Sequence, residues 1–165
     1  RKGEAAEPYT NHLAEVAELA ATATDGADPE LVIAAVLHDV VEDTPTSNAE
    51  VERRFGARVA ALVAEVTDDK SLPKLERKRL QVAHAAHASV GAKIIKLADK
   101  TSNLRALAAS PPVDWPAERK AEYLAWAQRV VENCRGASPW LEAIFDEAAA
   151  ALETSFAKGG QEPRR

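Results

Sequence analysis

Asp28-Pro29-Glu30-Leu31-Val32-Ile33-Ala34-Ala35-Val36-Leu37-His38-Asp39-Val40-Val41-Glu42-Asp43-Thr44-Pro45 carries the clearest structural signal in the chain. Asp28 is suited to cap a helix N-terminus, and Pro29 takes the first helical position, where its missing N–H costs nothing. Thr44-Pro45 ends the run, because the residue before a proline is steered out of helical geometry. Between these signals the chain is apolar on every side. That pattern predicts one helix over residues 28–43, lying at the centre of the domain.

His38-Asp39 interrupts this apolar helix. Burying an imidazole and a carboxylate without a partner is costly. A divalent cation satisfies both at once, since neutral imidazole and carboxylate are standard ligands. Glu42 lies one turn beyond His38, and Asp43 one turn beyond Asp39. The four groups are therefore expected in two rows facing one pocket. The plainer alternative is a chance His-Asp pair at a helix end, followed by two solvated acids. The apolar setting and the second pair of acids weigh against it.

Outward from this stretch almost every periodic segment reads as helix, because Ala, Leu, Glu, Lys and Arg dominate. Helices are expected over 11–24, 47–55, 57–67, from Pro73 to the His84–His87 region, and over 91–108, 116–134 and 139–156. Asp25-Gly26 and Gly56 mark breaks. No stretch shows the alternating β-branched pattern of a half-buried strand. The expected architecture is all-α: a single domain over residues 1–157, followed by a flexible polar tail over 158–165.

Length and composition narrow the function classes. At 165 residues the chain is long enough to bury a core and enclose a pocket. A net charge of −5 speaks against a DNA- or RNA-binding surface, which needs a basic stripe. No apolar run reaches the length of a membrane span. The single cysteine, Cys134, excludes an internal disulfide and fits a cytoplasmic location.

A cation needs more ligands than His38 and Asp39. The chain has four histidines: His12, His38, His84 and His87. His12 stands at the start of the first helix. Asp99 interrupts another apolar face, in Lys96-Leu97-Ala98-Asp99-Lys100, and Asn103 shares its side one turn on. Taken singly, residues such as His12 and Asp99 are more often capping or salt-bridging residues than ligands. Their case rests on the ensemble.

The order His, His-Asp, Asp resembles the HD superfamily of metal-dependent phosphohydrolases. More narrowly, the chain resembles the hydrolase domain of RelA/SpoT proteins and the small stand-alone SpoT homologues. The matching pieces span nearly the whole chain: Arg1-Lys2, Pro8-Tyr9-Thr10-Asn11-His12, Leu37-His38-Asp39-Val40-Val41-Glu42-Asp43-Thr44, Thr67-Asp68-Asp69-Lys70, Leu72-Pro73-Lys74-Leu75-Glu76-Arg77-Lys78, Lys96 to Arg105 and Glu122 to Ala127. The resemblance implies a helical HD domain whose metal ligands are His12, His38, Asp39 and Asp99. It implies Glu42 and Asp43 as the acidic pair that orients and activates water, and Arg1, Lys2, Asn103 and Tyr123 as nucleotide-pocket residues. The implied cofactor is one divalent cation, usually Mn²⁺. Two imidazoles agree with that weakly and leave Zn²⁺ and Fe²⁺ open. The implied activity is hydrolysis of the 3′-pyrophosphate of the guanine nucleotide (p)ppGpp. Alternatives are another nucleotide substrate such as NADPH, or a binding-only module. Degenerate binders lose ligands or acids, whereas this chain retains all six. The family has a helix before the Arg-Lys pair, and this sequence begins at that pair.

Other features carry less. His84 and His87 are expected at the surface or behind the pocket lining. Lys74 to Arg79 reads as a solvated face, with Lys74 able to approach a phosphate. Trp115, Trp126 and Trp140 read as packing anchors, and Cys134 as a passive thiol.

Overall fold

The computed structural model describes residues 8–159, which form nine α-helices and no strand. They are α1 (Tyr9–Ala23), α2 (Pro29–Val36), α3 (Val40–Asp43), α4 (Asn48–Phe55), α5 (Ala57–Val66), α6 (Lys74–Ala85), α7 (Val90–Ala109), α8 (Ala117–Glu132) and α9 (Pro139–Gly159). Arg1, Lys2 and residues 160–165 lie outside the described residues. The architecture is all-α, as the composition implies. Two caps follow the sequence signals, Asp28 accepting from the Leu31 N–H at 3.1 Å and Ser47 from Glu50 at 3.2 Å; Ser89, accepting from Ala92 at 3.2 Å, starts α7 one residue before the expected 91. Gly56, at φ 93°, makes the sharp passage from α4 to α5.

Two expectations about the decisive stretch are corrected. The helix expected over residues 28–43 is two helices, divided by a turn at Leu37-His38-Asp39. The Leu37 N–H reaches both Ile33 O and Ala34 O, at 3.1 and 3.2 Å, which tightens the last turn of α2. The His38 ring then takes the Ala35 carbonyl at 2.8 Å. The most apolar helix is also not the central one: Ile33 and Val36 on its outer side are 37% and 42% exposed.

The centre belongs to α7, which packs against α1, α2, α5, α8 and α9. Ile95, Leu97 and Leu104 on it are fully buried, and so are Val16 of α1, Val63 of α5 and Phe145 of α9. α7 also buries Lys100, Thr101 and Ser102, each of which has a polar partner. Gly91 sets how closely its first turn approaches α5 and α2, because a Cβ there would lie 2.8 Å from Leu62 Cδ2 and 3.3 Å from Leu31 Cδ1.

Candidate active site

α1, the α2–α3 turn and the middle of α7 converge on one point. His12 Nε2 lies 3.4 Å from His38 Nε2 and 3.4 Å from Asp99 Oδ1, and His38 Nε2 lies 3.8 Å from the same oxygen. The ligand-type atoms of His12, His38 and Asp99 all fall within 4.8 Å of one another. Both histidines are buried. Two imidazole lone pairs and a carboxylate pointed at each other repel unless a positive charge lies between them, and two nitrogens with oxygen suit a divalent cation.

Asp39 sits beside this group, with Oδ2 3.1 Å from His38 Nε2. It also accepts a hydrogen bond from the Tyr9 hydroxyl. Burial and that bond to Asp39 push the Tyr9 phenol well above its ordinary range, so it remains a donor. Burial would raise the Asp99 carboxyl, but the Lys100 ammonium beside it holds it well below the usual range. Asp99 Oδ2 pairs with Lys100 Nζ at 2.7 Å, and Oδ1 accepts from Asn103 Nδ2 at 2.6 Å.

A cavity of about 170 Å³ opens onto this point, lined by His38, Asp39, Glu42, Lys96, Asp99 and Asn103 among others. Glu42 faces it with Oε1 taking the Asp68 N–H at 2.6 Å, and burial raises its carboxyl pKa. Asp43 does not line the cavity. It ends α3 on the outside, paired with Lys70 Nζ at 2.5 Å and half exposed. The two rows expected to face one pocket therefore separate: Asp43 stays one helical turn from Asp39, its N–H on the Asp39 carbonyl at 2.9 Å, but its side chain turns outward to Lys70.

Gln81 is shared with a second cavity of about 440 Å³ between α6 and α8. Its walls combine cations and rings. Arg119 stands 4.3 Å from the Trp115 ring, and Lys78 Nζ lies 4.6 Å from that of Trp126 and 5.6 Å from that of Tyr123. Burial pushes the Tyr123 phenol up to about 12, so it too stays protonated. Lys74 lines the same cavity.

Several of these residues carried no sequence signal. Lys96 and Lys100 are long cations buried on the central helix, which the rule for charged residues would place outside. Lys100 is held by Asp99 and by the Trp126 ring, at 4.6 Å. Lys96 makes no hydrogen bond among the described residues, and burial lowers its pKa. Trp126 is buried and, with Trp115, also lines the larger cavity, while Trp140 is 43% exposed. His84 and His87 are exposed and away from the histidine pair. Cys134 is fully buried, and burial lifts its thiol to about 11.

Residues 1–129 match the HD domain family. The chain belongs to that family. Among relatives of this HD domain, a guanosine-3′,5′-bis(diphosphate) 3′-pyrophosphohydrolase of Drosophila melanogaster is 49% identical over 89% of this chain and 82% of its own. The human protein of the same name is 51% identical over 86% of this chain and 79% of its own. A solved structure of a metazoan ortholog of SpoT, described as hydrolysing ppGpp and acting in starvation responses, superposes with TM-score 0.85. It is 49% identical and covers 90% of this chain and 83% of that one. A crystal structure from Listeria monocytogenes is 31% identical, with TM-score 0.72 over 92% of this chain and 97% of that one.

Proposed function

We propose that this HD domain is a (p)ppGpp 3′-pyrophosphohydrolase that uses one divalent cation, Mn²⁺ being the family's usual choice. The observation that carries the reading is the convergence of His12, His38 and Asp99, the last two lining a cavity that shares Gln81 with a larger chamber of cations and aromatic rings. Relatives of about half identity that bear this activity in their names supply the substrate. In the proposed assignment Asp39 completes the ligand set, and Glu42, Asn103 and Tyr123 act on water and nucleotide.

A bound cation supplies Lewis-acid polarisation of a phosphoryl oxygen and acidifies water at the site. The rest falls to the chain. Glu42, ionised, takes a proton from the attacking water, while its Oε1 is steadied by the Asp68 N–H. Water adds at the phosphorus attached to the ribose 3′ oxygen, and the bond from that phosphorus to the 3′ oxygen breaks. The 3′ oxygen takes a proton, leaving GDP or GTP, and pyrophosphate departs. Lys96, a buried cation on the cavity wall without a hydrogen-bond partner among the described residues, faces the transferred phosphates. Lys78, Arg119 and the rings of Trp115 and Tyr123 meet the remaining phosphates and the nucleoside. Arg1 and Lys2 are assigned to the same nucleotide by resemblance.

The test is pyrophosphate release by the Mn²⁺-loaded chain from ppGpp, pppGpp, NADPH and GTP. Release is expected from the first two. GTP has only a hydroxyl at the 3′ position and lacks the scissile bond. Attack on NADPH with none on ppGpp would overturn the substrate while leaving the metal chemistry in place.

A further inference from the structure

Behind His12, on the side away from the cavity, a line of polar contacts runs toward the surface. His12 Nδ1 lies 2.9 Å from Ser102 Oγ of α7. Ser102 Oγ donates to Glu15 Oε2 at 2.6 Å, and Arg105 Nη1 donates to Glu15 Oε1 at 2.9 Å. His12 and Ser102 are buried, while Glu15 and Arg105 are 32% and 43% exposed at the side chain. The cavity on this side, lined by His12 itself with Asn11, Glu15, Ser102 and Arg105, is separate from the one lined by Glu42 and Lys96.

The direction of these bonds follows from counting protons. A serine hydroxyl has one proton, and a carboxylate can only accept. Salt-bridged Glu15 therefore takes the Ser102 proton, and Ser102 can only accept from His12. Nδ1 must carry the imidazole hydrogen, which leaves the Nε2 lone pair aimed at His38 Nε2 and Asp99 Oδ1, both 3.4 Å away. His38 reaches the same state by another route, donating from Nδ1 to the Ala35 carbonyl.

We propose that Ser102, Glu15 and Arg105 are positioning residues that fix the tautomer and orientation of His12 and so set the chain's affinity for its cation. This rests on the metal reading above. Such outer contacts of a ligating histidine orient the ring and raise its basicity, and removing one typically weakens metal binding about 10- to 100-fold.

The discriminating variant is Glu15→Gln, at the surface and nearly isosteric. A glutamine amide can donate to Ser102 Oγ, which frees the hydroxyl proton to turn toward His12 and drives the ring hydrogen to Nε2, against the cation. Ser102→Ala removes the acceptor outright, and Ser102→Thr keeps it. Metal-loaded full-length chains are titrated with a competing chelator, using Mn²⁺ and Zn²⁺, with no substrate present. Glu15→Gln and Ser102→Ala are expected to weaken both ions on the order of 10- to 100-fold, with Ser102→Thr restoring affinity. In the Zn²⁺-loaded chain, the His12 Nδ1 proton seen by NMR should exchange slowly in the wild type and faster in both variants. Unchanged affinity and unchanged exchange in Glu15→Gln would overturn the relay, even if Ser102→Ala failed to fold. A wild-type chain that binds neither ion would overturn the metal reading itself. Loss of ppGpp hydrolysis with metal affinity intact would point to the substrate side and count against the relay.

Discussion

Asp99 and Asp43 are both carboxylates within 2.7 Å of a lysine ammonium, yet their situations are opposite. The Asp99–Lys100 pair lies on the central helix, with side chains 18% and 7% exposed. The Asp43–Lys70 pair spans the rim, with 51% and 48% exposed. Buried, the pair fixes which Asp99 oxygen is occupied and leaves Oδ1 turned toward His12 and His38. Exposed, the pair is screened by water and holds little in place. The same chemistry becomes machinery or surface according to the helix that carries it.

The largest effect is expected at the floor. Asp99→Asn and His38→Ala should lose bound cation and turnover together, measured by elemental analysis and pyrophosphate release. Asparagine is preferred to alanine at 99 because its amide oxygen can still accept from the buried Lys100 ammonium. Either change removes the compensating charge, a loss of about 3–5 kcal/mol, so folding is checked by circular dichroism alongside. Equal metal content in wild type and both variants would break the contrast at its strongest point.

One step up the wall, Glu42→Gln should retain the cation but lose on the order of 10²- to 10⁴-fold in rate. Burial raises the Glu42 pKa, and a base must be ionised to work. The acid limb of the rate profile should therefore lie above the ordinary glutamate value, with activity falling as pH drops through it. A limb unchanged in the residual activity of Glu42→Gln would assign that titration elsewhere.

At the rim, Asp43→Asn should cost only a few-fold in rate, because an exposed ion pair is worth roughly 0.2–1 kcal/mol. Resemblance gives Asp43 the same weight as Glu42, and the geometry does not. A loss at Asp43 equal to that at Glu42 would mean that the α3 end turns inward when substrate binds.

The smallest expected effect lies outside the site. Asp28 caps α2 and pairs with Arg58. Asp28→Ala should lower stability by about 1 kcal/mol without changing metal content. The Arg58 hydrogen bond holds the folded Asp28 pKa below its ordinary value. Its charge-dependent contribution is therefore present above the unfolded pKa of about 3.9 and is lost as pH falls through the lower folded value. A denaturation series at pH 7 and pH 3 checks both size and sign. A deficit that grows on acidification would contradict the assigned direction.

The sequence by itself determined where most helices begin and end. Caps and breakers act over three or four residues, and Asp28, Ser47, Gly56 and Ser89 each act locally. It also brought out His12, His38 and Asp99 as polar intrusions on apolar faces, since burying such groups demands a reason wherever they end up. Tertiary structure decided the rest. The most apolar helix yielded the centre to α7, whose buried Ser102 is met there by Glu15 of α1, while Lys100 and Thr101 are satisfied within α7 itself. The turn at Leu37-His38-Asp39 divided a run that local signals read as continuous, and the Asp68 N–H and Lys70 meet Glu42 on the inner side and Asp43 on the outer side. Neither the ring-and-cation chamber nor the Ser102–Glu15 contact, across 87 positions of sequence, has a local signature. Both exist because α1, α6 and α8 are brought against α7 or one another, and a sequence pattern reports periodicity within a helix rather than which helix it will meet.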